Sequence, residues 1–120
     1  MMRAVIDLDV AVREIERRAR GWRAQGFAVG PVTWRDQGAG WPPSMRTERE
    51  AVADPDSIGV AVRLGVQEGS VVLFKGGWCD LEYWSGGASD DPVIEAPGYP
   101  GGLTVAEFGR LLDSFIDRFR

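Results

Sequence analysis

Asp80 and Glu82 are the residues of this 120-residue chain whose types and spacing come nearest to chemistry. They stand two positions apart in Trp78-Cys-Asp-Leu-Glu-Tyr-Trp84. In a strand, side chains alternate between the two faces, so both carboxylates point the same way, roughly 6–7 Å apart. Inverting glycosidases separate their acid and base by roughly 6.5–9.5 Å, which is within reach. A working pair also needs a cleft that shifts one of the two pKa values, and a flat sheet face offers none. The same face carries Trp78 and Trp84. Tryptophan dominates interface hot spots, and carboxylates between such anchors complement a partner's Arg or Lys. The strip is therefore expected to bind a partner protein, with Asp90 and Asp91 at its rim. The alternative is that loops or the C-terminal segment cover both tryptophans and leave the acids merely solvated. Trp41, beside Pro42-Pro43, poses the same question: an exposed partner anchor, or a plug under a long loop.

Other chemistry is bounded by what the composition lacks. The chain has no histidine, so the commonest general base and metal ligand is missing and no Ser-His-Asp or Cys-His site can form. The single cysteine, Cys79, allows no internal disulfide and cannot hold zinc alone. It shares its strand face with Leu81 and Tyr83, which predicts a small buried hydrophobe rather than a reactive thiol. Glycine is abundant at 16 residues, yet neither the dinucleotide nor the phosphate-loop pattern occurs between a strand and a helix. No enzyme activity, cofactor or metal is expected.

The elements that must position the strip are legible in part. Leu8, Val12, Ile15, Ala19 and Trp22 recur at four, three, four and three, predicting an amphipathic helix over residues 8–25. Asp7 or Asp9 would cap it and Gly26 would end it. Its other face, with Arg13, Glu14, Arg17, Arg18, Arg20 and Arg23, reads as solvated and laced with pairs such as Glu14–Arg18 and Glu16–Arg20. Phe27–Arg35 reads as an edge or bulged strand interrupted at Gly30-Pro31. Residues 36–57 are the least legible. Gln37–Gly40 is a flexible turn, Trp41–Ser44 extended, and Met45–Glu50 fits a short helical turn and a strand equally well. Asp54–Ser57 reads as a turn. Three strands follow, Ile58–Val66, Val71–Lys75 and Trp78–Trp84, joined by turns at Gln67-Glu68-Gly69 and Gly76-Gly77. Pro92–Ala96 suits a short edge strand between two loops. Thr104-Val-Ala-Glu107 is a capping box opening a helix with Phe108, Leu111, Leu112, Phe115, Ile116 and Phe119 on one side. Hairpin connections make the sheet antiparallel. The expected fold is one α+β domain over residues 1–120, an antiparallel sheet of about four strands with both helices on one face. The other face, bearing the strip, is left open.

Several features together resemble a known family. A Trp-bearing first helix leads to a strand and Gly40-Trp41-Pro42-Pro43-Ser44. A strand pair follows around Gly69-Ser-Val-Val-Leu-Phe-Lys-Gly-Gly-Trp-Cys-Asp-Leu-Glu82, and an amphipathic helix closes the chain. The pattern resembles the immunity proteins of bacterial polymorphic toxin systems, in particular the TriTu-like group. The resemblance implies an antitoxin without chemistry of its own, whose partner is a cognate toxin domain. For this group it implies an ADP-ribosyltransferase toxin acting on elongation factor Tu. The segment Met45–Ser57 is longer than the family pattern.

Charge and hydropathy agree with a protein partner. Net charge is −4. Residues 1–50 carry nine Arg against seven acids, and residues 51–120 five basic residues against eleven acids. That balance argues against nucleic acid and for a basic partner surface. No apolar run approaches the length of a membrane helix, and Met1–Asp7 shows no signal-peptide pattern. A cytoplasmic protein with no membrane partner is expected. Two further classes stay open: a small-molecule carrier with its ligand between the sheet and the 86–102 loop, and a structural subunit with a large apolar patch.

Overall fold

Hydrogen bonding in the computed structural model, which describes residues 5–38, 40–41 and 44–119, follows the order α1 (Leu8–Ala24), β1 (Ala28–Val29), β2 (Thr33–Asp36), β3 (Pro55–Leu64), β4 (Gln67–Phe74), β5 (Trp78–Trp84), β6 (Val93–Glu95) and α2 (Val105–Asp117). The expectations placed on Ala39 and on Pro42-Pro43 lie outside the described residues. The strands form one 6-stranded antiparallel sheet, ordered β1-β3-β4-β5-β6, with β2 also paired to β3. The fold class is the expected α+β. The sheet is wider than the four strands expected, because the Phe27–Arg35 segment breaks at Gly30-Pro31 into β1 and β2 and because β6 joins the far edge.

Helix α1 starts where Asp7 accepts from the backbone N–H of Asp9 and Val10 at 3.0 and 3.2 Å, satisfying two of the orphan donors at a helix start. It ends at Gly26, whose φ of +99° only glycine adopts cheaply. Helix α2 opens on the expected capping box, Glu107 N–H to Thr104 Oγ1 at 3.1 Å and Thr104 N–H to Glu107 Oε1 at 3.0 Å. The two helices meet at Gly109, where a Cβ would come within 2.7 Å of the Glu14 carboxylate. Arg18 ties them together, reaching Asp113 at 2.8 Å and Glu14 at 3.1 Å. Both apolar stripes bury against one sheet face, where Ile58, Val60, Val62, Val71, Leu73, Cys79 and Leu81 point inward. Alternation sends the intervening residues to the outer face.

Two turn assignments change. The β3–β4 loop is Gly65-Val66, since Leu64 pairs with Gln67, and Gly65 supplies the positive φ at +62°. Gln67-Glu68-Gly69, expected as the turn, lies inside β4. Gly69 is there to make room: a Cβ would sit 2.7 Å from Phe119 Cζ and 2.8 Å from Phe115 Cζ. This is glycine's other role in a strand, letting a neighbour approach closely. The expected Asp54–Ser57 turn is also strand. Pro55 begins β3 opposite Asp36, a position where its missing N–H costs nothing.

The stretch at Met45–Glu50 takes a little of both readings. Arg46 makes a single antiparallel bridge to Trp34, and Arg49–Ala51 forms one 3-10 turn. Arg49 pins that turn, donating to Asp9 at 2.6 Å and to the Val52 carbonyl at 2.7 Å with its guanidinium over the Trp34 ring. No helix among the described residues is long and apolar enough to cross a membrane.

Candidate functional site: the outer face of the sheet

Strand β5 keeps the boundaries and the facing expected for it. Cys79 is 0% exposed and Leu81 is buried, while Trp78, Asp80 and Trp84 are half-buried and Glu82 exposed on the opposite side. Burial, with the nearby Asp80 charge adding to it, pushes the Cys79 thiol up to about 12. The thiolate that reactivity requires is thereby suppressed.

Pairing across the sheet sets the neighbours of the strip. Trp78 lies opposite Phe74, Asp80 opposite Val72, Glu82 opposite Ser70 on one side and Ile94 on the other, and Trp84 opposite Glu68. One step further in, Val72 faces Gly59 and Ser70 faces Ala61. The middle of this face is therefore built from small side chains, with large ones at its ends. A hollow of about 630 Å³ results over Ala61 and Ser70. Glu82, Trp84 and Pro92 wall it on one side, Ala28 and Gly30 on the other. Arg63 and Glu68 stand at its upper end, paired at 2.7 Å.

The structure brings some of the expected site residues together and separates others. Glu82 and Trp84 share the hollow. Asp90 joins them through its backbone, its carbonyl accepting from Trp84 Nε1–H at 3.0 Å while its carboxylate takes the Ser85 hydroxyl at 2.5 Å. Asp91 is exposed beside it. Trp78 belongs to a separate aromatic cluster at the other end of the strand, stacked on Phe74 at 4.3 Å between centroids and met edge-on by Tyr99 at 5.2 Å. Loops thus touch both tryptophans but cover neither. Asp80 does not line the hollow, so the two carboxylates share a face and not a cleft. The outer face is less flat than alternation alone implied.

Trp41 is 90% exposed and plugs nothing. It stands over a separate depression with Asp36, Ser44 and Arg46 and makes no ring contact with Trp78 or Trp84. The Asp36 carboxylate there accepts from the Ala53 and Asp54 N–H groups, at 3.2 and 3.3 Å, which hold it below its usual pKa.

Neither Asp80 nor Glu82 forms a hydrogen bond or ion pair through its side chain with the described residues. Most other acids near the sheet are committed: Glu68 to Arg63, Asp56 to Arg35 at 2.8 Å, and Glu95 to Arg118. Reasoning from sequence missed Ala61, Ser70 and Ile94 as parts of this surface. The signal was present in β3, where Gly59 and Ala61 alternate with Ile58, Val60 and Val62; small residues on one face of a central strand leave space above it. Among the described residues, no three acidic or sulfur side chains gather closely enough to hold a metal ion. The chain matches no family model, no curated protein and no solved structure.

Proposed function

We propose that this protein acts by binding rather than by catalysis, and that it docks a partner protein on the outer sheet face. The observation that carries this reading is the pair of uncommitted carboxylates, Asp80 and Glu82, between two half-exposed tryptophans on a face that neither helix covers. In the free protein water solvates these carboxylates, which leaves them available to a partner's cations. In a complex, Asp80 and Glu82 would each accept charge-assisted hydrogen bonds worth roughly 1.5–3 kcal/mol. Trp84, fixed by its bond to the Asp90 carbonyl, would be a rigid anchor worth about 2 kcal/mol or more on truncation. The net charge of −4 favours a basic partner.

The resemblance to immunity proteins makes that partner a toxin domain, and the TriTu-like likeness makes it an ADP-ribosyltransferase directed at elongation factor Tu. The test is co-expression with a toxin-domain gene encoded beside this one, scoring cell survival and one-to-one complex formation; a neighbourhood without such a gene would count against the toxin reading. Asp80→Lys/Glu82→Lys is expected to abolish protection with little change in thermal midpoint, and Trp84→Ala, which also gives up the bond to Asp90, to abolish it while the protein still melts cooperatively at a lower midpoint. Trp41→Ala is the comparison. If it alone abolishes protection and the outer-face variants protect normally, the contact lies on the 36–57 loop and the proposal fails.

A further inference from the structure

The hollow is more selective than the face around it. Its floor, Ala61 and Ser70, is small, and its volume of about 630 Å³ is large enough to take a side chain with part of its backbone. Its polar groups are unevenly committed. Trp84 Nε1–H is already given to the Asp90 carbonyl at 3.0 Å, so the indole has no free donor for an arriving group. The Tyr83 hydroxyl, behind the wall, is given to Gln67 at 2.6 Å. Arg63 and Glu68 neutralise each other at 2.7 Å. What remains is the Glu82 carboxylate, an acceptor without a donor, and the small Ser70 hydroxyl on the floor.

A site with an open carboxylate, an aromatic wall and a floor of small side chains fits a cation that is planar, rich in N–H donors and carried on an apolar stem. We infer that the hollow receives an arginine side chain of the partner protein, its guanidinium paired with Glu82 and lying against the Trp84 ring. This rests on the outer face being the docking surface. Arginine is favoured over lysine because its planar fork matches a carboxylate through two bonds, stacks on aromatic rings and is less strongly hydrated than an ammonium. An acidic side chain would meet the unpaired Glu82 carboxylate. A neutral amide would leave the carboxylate without its counter-charge.

The inference can be tested without the partner. Capped peptides Gly-Arg-Gly, Gly-Lys-Gly and Gly-citrulline-Gly are titrated into the ¹⁵N-labelled full chain, following amide shifts. The arginine peptide should shift residues 61, 70 and 82–84 saturably, and the lysine and citrulline peptides should bind at least about fivefold more weakly. Glu82→Gln should weaken the arginine peptide about tenfold, while Asp80→Asn, outside the hollow, should change it by less than about twofold. Equal binding of the three peptides, shifts mapping elsewhere, or no saturation would overturn the inference. So would tighter binding of free arginine than of the capped peptide, which would assign the hollow to a small molecule. If the peptides fail while the outer-face substitutions still abolish protection in co-expression, the docking face stands and only its arginine is lost.

Discussion

Replacing Gly69 by Ala tests the central correction to the expected strand register. In a turn at Gln67–Gly69 the glycine would be needed for its backbone freedom. In the structure it is needed for its missing side chain. Its φ is not positive, so an alanine meets no backbone strain and would even gain about 0.4–1 kcal/mol from a less flexible unfolded chain. Against this, the new Cβ would lie 2.7–2.9 Å from three ring carbons of Phe115 and Phe119. Carbon atoms rest at about 3.5–4.0 Å, so both rings must retreat by about 1 Å. Phe115 is fully buried, and Phe119 is held between Phe27 and Tyr83 at centroid distances of 5.3 and 5.1 Å. Overpacking of this kind costs about 1–3 kcal/mol, leaving a net loss of up to about 2.5 kcal/mol, or up to about 10 °C in thermal midpoint for a domain of this size. The comparison with asparagine makes the test decisive. Asparagine tolerates left-handed backbone but is larger than alanine. At Gly65, with φ +62° and nothing within 4 Å, Asn should be better tolerated than Ala. At Gly69 the order should reverse. Thermal melts of the four variants by circular dichroism report this directly. If Gly69→Asn melts above Gly69→Ala, Gly69 is a turn residue and the packing argument is wrong.

Three further outcomes are expected. Cys79 should resist a thiol reagent at pH 8 in the native protein and react at once in denaturant; rapid native labelling would mean that the faces of β5 are reversed. Because its folded pKa is raised, the unfolded chain loses that proton first, so stability should fall between about pH 9 and 12, and Cys79→Ala should flatten that decline. The hydrogen bonds from Arg18 lower the Asp113 pKa, so the Asp113 contribution is present above the ordinary carboxylate range and lost as pH falls through the folded pKa. Asp113→Asn should cost about 0.2–1 kcal/mol at neutral pH, the small value of a largely exposed pair, and progressively less by urea denaturation as pH falls below the ordinary carboxylate range. Thr104→Ala should cost about 1 kcal/mol by removing the α2 cap, and an unchanged urea midpoint would show the capping box to be idle.

The two helices, their caps and the inward and outward sides of β5 were legible from local pattern. A helix stripe or a strand alternation is set by which side chains must leave water, and that information sits within a few neighbouring residues. Leu8 through Trp22, the box at Thr104 and Glu107, and Cys79, Leu81 and Tyr83 all belong to this class. The α+β order with both helices on one face followed from the need to bury two stripes against one sheet. The role of Gly69 was decided by residues 46 and 50 positions away, Phe115 and Phe119, and no local rule separates a glycine that bends the chain from one that admits a ring. The β3 start at Pro55, the bridge between Trp34 and Arg46, and the exposure of Trp41 likewise depend on strands and loops distant in sequence. The candidate site divides in the same way. Its acids and tryptophans stand in one segment and could be read there. The hollow that takes in Glu82 and not Asp80 exists only because β4 sets Ser70 beside Glu82 and β3 sets Ala61 beyond it, and that juxtaposition is a property of the sheet and not of any one strand.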